Sequence, residues 1–331
     1  MRIDPALRAL RSEPTPQRIA QDVLFAARDA WRERDDWKAL SQDIESYGNG
    51  ADLGSCAALA ALFADPARAG RFAREFTAHF LPAIAKAPLA QFPSRHIVNG
   101  SVSTLLLAAK GRAVLSLVAF DGETLAGRPR AQTVGFSDGE RHEMVLAGRG
   151  SGLLVRGREL SDKRMELSTD PLDLVPGFGA SIDTSRESIV IDGAEGRLVT
   201  LRLLRMTENP RPIRDYALAD GAFLHQSAGE TKQSRLELMI ALLGRMRRAD
   251  AAPLMAAMAI ADGAAVAPHL RWQALRECIA LDTAEGFRAL CRIARDEEDP
   301  LVVPAGALRA QLIESHPVLL GLEEKELTCP A

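Results

Sequence analysis

Residues 103–120 read Ser103-Thr104-Leu105-Leu106-Leu107-Ala108-Ala109-Lys110-Gly111-Arg112-Ala113-Val114-Leu115-Ser116-Leu117-Val118-Ala119-Phe120. Two short runs of Leu, Val and Ala flank a Lys-Gly turn pair, so each run is short for a helix and suits a strand. Just upstream, near Pro93, the hydrophobic period changes from 3.6 to 2. Downstream, strand-like stretches follow at Gln132–Phe136, His142–Leu146, Gly152–Val155, Met165–Leu167, Leu172–Val175, Ser188–Ile191 and Leu198–Leu204. Turn signals separate them: Asp121-Gly122, Ser137-Asp138-Gly139, Gly148-Arg149-Gly150, Pro176-Gly177, Asp192-Gly193 and Glu195-Gly196. Short strands at this spacing predict an antiparallel sandwich or barrel.

Working outward, both flanks read as helical. Toward the N-terminus, Ile19, Val23, Leu24 and Ala27 recur at helical spacing, and Gly48-Asn49-Gly50 closes a second segment. Asp65-Pro66 reads as the start of a helix carrying Phe72, Phe76 and Phe80, because Asp leaves a carboxylate for the free amides and Pro suits the first turn. Toward the C-terminus, Glu208-Asn209-Pro210-Arg211-Pro212 reads as a linker out of the β region. Beyond it Ala274-Leu275-Arg276 recurs as Ala307-Leu308-Arg309, 33 residues later, and Leu254, Ala257 and Ala261 recur as Phe287, Leu290 and Ala294. That spacing, with Asp250 and Asp282 heading short second helices, resembles HEAT-like repeats over residues 233–316. An irregular helical bundle is the alternative. The expected organisation is α+β multidomain: a helical region over 1–92, a β region over 93–207 and a helical-repeat domain over 208–331.

Composition narrows the function classes. The chain has 331 residues, 47% hydrophobic and 26% charged, with 41 basic and 44 acidic side chains. This is globular composition with room for two or three domains, at about 100–200 residues each. Near-balanced charge and 5% aromatics argue against nucleic-acid binding. The start Met1-Arg2-Ile3-Asp4-Pro5 lacks signal-peptide features, and no run approaches about 18 apolar residues, so neither secretion nor membrane insertion is expected. Cys56, Cys278, Cys291 and Cys329 form no CxxC pair, which suits buried thiols in a reducing, cytoplasmic setting.

The stretch Glu143-Met144-Val145-Leu146-Ala147-Gly148-Arg149-Gly150 resembles the latter half of the first cupin motif. Asp173-Leu174-Val175-Pro176-Gly177, with Ile182-Asp183 and Ile189-Val190-Ile191, is similar to the second. The resemblance spans about residues 130–205 and implies a double-stranded β-helix, a jelly-roll barrel with a pocket in its mouth. It also implies pairing into homodimers. In that family a histidine pair ahead of the glutamate and a third histidine in the second motif hold a divalent metal. Here the pair falls on Phe136-Ser137-Asp138-Gly139 and the third position falls near Arg186-Glu187, so Glu143 alone survives. Arginine donates hydrogen bonds and cannot ligate a cation.

The expectation is therefore a non-catalytic binding or regulatory protein without a cofactor. A small polar ligand would meet Glu143, Arg156, Asp183, Arg186 and Glu187, and a protein partner would meet the helical repeats. The alternative is a divergent cupin oxygenase or isomerase in which His96, His142 and His225 rebuild a site for Fe, Mn or Zn, or in which Glu143 and Arg186 do metal-free acid/base work. Against a shared pocket, His142 and Glu143 are successive strand residues and point to opposite faces. Gly148-Arg149-Gly150 opens no helix and reads as a hairpin turn, not a phosphate loop.

Overall fold

The structure, a computed structural model, describes residues 13–262 and 266–322. The expectations placed on Met1–Pro5 and on Cys329 lie outside the described residues. The chain divides into two compact units, Met1–Ser227 and Ala228–Ala331.

The first unit begins with helices α1 (Thr15–Arg32), α2 (Asp35–Gly48), α3 (Ala57–Ala64) and α4 (Pro66–Lys86). The Asp65 carboxylate caps α4, accepting from the Ala67 amide at 2.8 Å. The aromatic stripe of α4 meets Trp31 and Trp37, with Trp31 edge-on to Phe76 at 5.4 Å between centroids. Trp31, Leu40, Ile44, Tyr47 and Phe76 share one core with Ala113, Leu115, Met144, Leu201 and Leu203 of the β region. Leu115, Leu201 and Leu203 are fully buried there, each stabilising the packing by roughly 2 kcal/mol. The N-terminal helices are thus a layer on the sheet. Gly48 sets how closely they approach, since a Cβ there would lie 2.1 Å from the Lys110 carbonyl oxygen.

The strands are β1 (His96–Asn99), β2 (Val102–Lys110), β3 (Ala113–Asp121), β4 (Thr133–Phe136), β5 (Gly139–Ser161), β6 (Arg164–Leu174), β7 (Gly179–Asp183), β8 (Glu187–Met206), β9 (Ile213–Ala217) and β10 (Phe223–Ser227), with a short helix α5 (Gly122–Ala126) after β3. They form two antiparallel sheets. One runs β1-β2-β3-β8-β5-β6 with β7 also on β5, and the other runs β10-β9-β4. Val134, Phe136, Tyr216 and Phe223 of the small sheet pack on Val155 and Met165 of the large one.

Three expectations are corrected. Gly148-Arg149-Gly150 is not a hairpin turn: it lies inside the continuous strand β5, where register shifts mark a bulge. Gly148 has φ +83°, and a Cβ there would sit 2.0 Å from the Arg197 carbonyl oxygen, so glycine bends the strand without reversing it. Gly193 and Gly196 likewise lie within β8. The chain also does not leave the β region at 208–212, because β9 and β10 follow and close the small sheet. The expected boundary at 207 therefore falls inside the first unit.

The second unit contains helices α6 (Thr231–Arg245), α7 (Ala252–Ala259), α8 (Pro268–Leu281), α9 (Thr283–Arg295) and α10 (Val302–Ser315). Met255, Leu270, Leu275, Phe287 and Leu290 form its core. Asp282 caps α9 through the Ala284 and Glu285 amides, whereas Asp250 pairs with Arg248 at 2.6 Å. Matched repeat positions differ in packing: Leu254 is exposed while Phe287 is buried. Cys278 and Cys291 are buried in this core and Cys56 in the first unit. Among the described residues no helix is long and apolar enough to cross a membrane.

Candidate functional site

Strand β5 carries two polar assemblies on opposite faces. Its register pairs Glu143 with Arg202 on β8 and with Ala180 on β7. Glu143 shares its face with Arg141, two residues earlier. The Glu143 carboxylate accepts from the Thr200 hydroxyl at 2.8 Å and from Arg202 Nη2 at 2.8 Å. Arg141 Nε lies 3.4 Å from Glu143 Oε2, near enough for an ion pair though not aligned for a hydrogen bond. The side chains of Arg141, Glu143 and Arg202 are 15%, 6% and 24% exposed, so the group is largely buried and Arg202 is its most exposed member.

Two guanidiniums against one carboxylate leave a net positive charge in a dry place. Burial by itself would raise the Glu143 carboxyl, but Arg202 and Arg141 overcome it and hold it below the usual range. Burial pushes Arg141 down to about 10, and the Arg202 charge adds to that while Glu143 opposes it. Arg141 Nε and Nη2, Arg202 Nε and Glu143 Oε2 are buried without a hydrogen-bond partner. Buried donors without acceptors are costly.

On the helix-covered face, His142 opposes Ser181 of β7 and Leu203 of β8. Its Nδ1 is 2.8 Å from Ser181 Oγ and its Nε2 is 3.2 Å from Tyr47 Oη of α2. Tyr47 donates to Glu140 Oε2 at 3.0 Å. Arg205 holds Glu140 through both carboxylate oxygens and donates to the Tyr47 and Ala51 carbonyls. Burial lowers the His142 imidazole below its ordinary value, with Arg205 reinforcing and Glu140 opposing. Burial, then Glu140, pushes the Tyr47 phenol well above its usual range.

Of the residues expected to bind a ligand, Arg156, Asp183, Arg186 and Glu187 are brought together, and Glu143 is apart from them. Asp183 pairs with Arg186 at 3.0 Å, and Arg156 pairs with Glu187 at 3.2 Å and also with Asp170. This is a surface network around the turn between β7 and β8, and its Arg186 is 71% exposed. Glu143 has its polar contacts with Arg141, Thr200 and Arg202 instead. The three histidines are also apart. His96 is exposed on β1, His142 is engaged by Ser181 and Tyr47, and His225 on β10 of the other sheet pairs with Asp215 at 3.0 Å. Sequence reasoning missed Arg141, although its place two residues from Glu143 was a readable signal. Arg202, Tyr47 and Ser181 gave none, because only the fold puts them there.

A divalent metal, implied by the cupin resemblance, does not fit these residues. Among the described residues no three His, Cys, Asp or Glu side chains converge on one point. The one carboxylate in the family position is engaged by two guanidiniums that repel a cation. Asp138, where the histidine pair would fall, is held by Arg211 at 2.8 Å.

No protein-family model matches the chain, and no curated protein matches it. Among solved structures, the 7S globulin of Momordica charantia aligns at 15% identity over 39% of this chain and 36% of its own, with a TM-score of 0.26. The aligned part thus spans about a third of that globulin's length. A cupin superfamily protein of Desulfitobacterium hafniense DCB-2 aligns at 15% identity over 34% of this chain and 83% of its own, with a TM-score of 0.22. HutD of Pseudomonas fluorescens SBW25 aligns at 16% identity over 34% of this chain and 56% of its own, with a TM-score of 0.23. These are similarities of a segment and carry no argument about chemistry.

Proposed function

We propose that this chain is a binding protein whose β unit holds a small carboxylate- or phosphate-bearing ligand without a metal. The observation behind it is the set of orphaned, buried donors of Arg141 and Arg202 beside Glu143. Arg141 and Arg202 would grip the anion, and Glu143 would fix both guanidiniums in place. The bent β5–β8 ribbon and the Glu143 motif support reading the β unit as cupin-like. Repeats of HEAT-like kind in the second unit would serve a protein partner, and two copies would pair through their sheets. Arg156, Asp183, Arg186 and Glu187 form a surface network in this reading, outside the ligand's reach.

The test is thermal unfolding with added citrate, inorganic phosphate or, as a neutral control, glycerol. A ligand that binds only the folded chain raises the midpoint by mass action. The midpoint should rise with one of the anions and not with glycerol, and Arg202→Leu should abolish the rise. No anion response, or an equal response in the variant, overturns the reading.

A further inference from the structure

The assembly on the helix-covered face of β5 has a hydrogen order that its geometry dictates. The Tyr47 hydroxyl has a single hydrogen, and Glu140 Oε2, a pure acceptor at 3.0 Å, takes it. Toward His142 Nε2, 3.2 Å away, Tyr47 can then only accept, so Nε2 carries the imidazole hydrogen. Nδ1 is left with its lone pair facing Ser181 Oγ at 2.8 Å. Arg205 clamps Glu140 and so fixes the far end of the chain. Ser181 is exposed on β7, while His142 is shielded by Tyr47 and by Phe63, whose ring lies 6.0 Å away.

We propose that Ser181 is a nucleophile, with His142 as its general base and Tyr47, Glu140 and Arg205 as positioning residues, acting on small esters with good leaving groups. Ser181 Oγ forms a bond to the acyl carbon as its proton passes to His142 Nδ1. The bond from that carbon to the leaving oxygen then breaks, and the proton passes from Nδ1 to the departing oxygen. Water repeats the sequence in reverse to release the acid. Arrangement of a nucleophile, a base and a group that orients the base is what this chemistry requires. The charged groups facing His142 are Glu140 on its own strand and Arg205 on β8, with Tyr47 on α2 as the third titratable neighbour. The imidazole is held below its ordinary 6.5, so it is a neutral base at pH 7. This proposal is independent of the anion reading, which uses the other face.

The test is p-nitrophenyl acetate with the full chain, followed as a burst of p-nitrophenolate and by tandem mass spectrometry of the adduct. The acetyl group is expected on Ser181 and absent in Ser181→Ala, a change at an exposed position that leaves the fold intact. His142→Asn should slow acylation by about 10²-fold or more. The wild-type rate should climb with pH and level off below pH 6.5, and Tyr47→Phe should move that break. Acetylation spread over surface lysines with no preference for Ser181, an unchanged burst in Ser181→Ala, or a rate with no break below pH 6.5 overturns the proposal.

Discussion

Glu143 Oε1 and Arg202 Nη2 face each other across the β5–β8 ladder at 2.8 Å, a directly opposed pair whose carboxylate is buried. A second guanidinium, Arg141, shares the same carboxylate from two residues away on β5. The carboxylate is therefore the keystone of the group.

Removing it should be severe. Glu143→Gln leaves two buried cations without a counter-charge, at a cost of about 3–5 kcal/mol. The triple replacement Arg141→Met, Glu143→Leu, Arg202→Met removes every charge together and should leave stability within about 2 kcal/mol of the parent. Urea denaturation at pH 7 measures both, and the contrast between them is the expected result.

The same carboxylate makes a pH signature. Its folded pKa is depressed from 4.5, so the stability it confers is complete above about pH 4.5 and is lost as pH falls through the lower folded value. Unfolding free energy followed from pH 6 downward should show this decline, and it should flatten in Glu143→Gln.

His142 titrates in a different window. Its folded pKa lies below 6.5 because burial disfavours the charged imidazole. The fold is therefore at full strength above pH 6.5 and weakens as pH falls through the folded value, where the buried ring must take a proton. The imidazole proton shift, followed by NMR, should have its midpoint below 6.5.

One of the irregularities in β5 lies at a glycine of positive φ, Gly148. Gly148→Ala puts a methyl group against the Arg197 carbonyl oxygen at a φ of +83°, costing roughly 1–3 kcal/mol in backbone strain before the clash is counted. A lowered unfolding midpoint with unchanged secondary structure at low temperature is the expected outcome in circular dichroism.

These sites also show what the sequence made legible. The short apolar run Ala113–Phe120 after a Lys-Gly turn signal read as a strand, and β3 is that strand. The Asp65 cap was readable because its cause is local. The long strands β5 and β8 were not, because Gly148 and Gly193 read as turns whether a chain reverses or merely bends. Glu143 was singled out as the carboxylate of a motif, but its burial and its partner Arg202, 59 residues away, were not readable. Local periodicity contains no information about ladder register. Tyr47 was hidden for the same reason, being a helix residue whose acceptor sits 93 residues downstream on the sheet.

Because His142 and Glu143 are neighbours in the chain, deleting one residue between Gly139 and His142 would rotate both side chains through the sheet at once. The imidazole would then meet guanidinium and the carboxylate would meet the phenol. A change of register would thus move the two groups together, whereas a substitution at either position alters one face and leaves the other as it is.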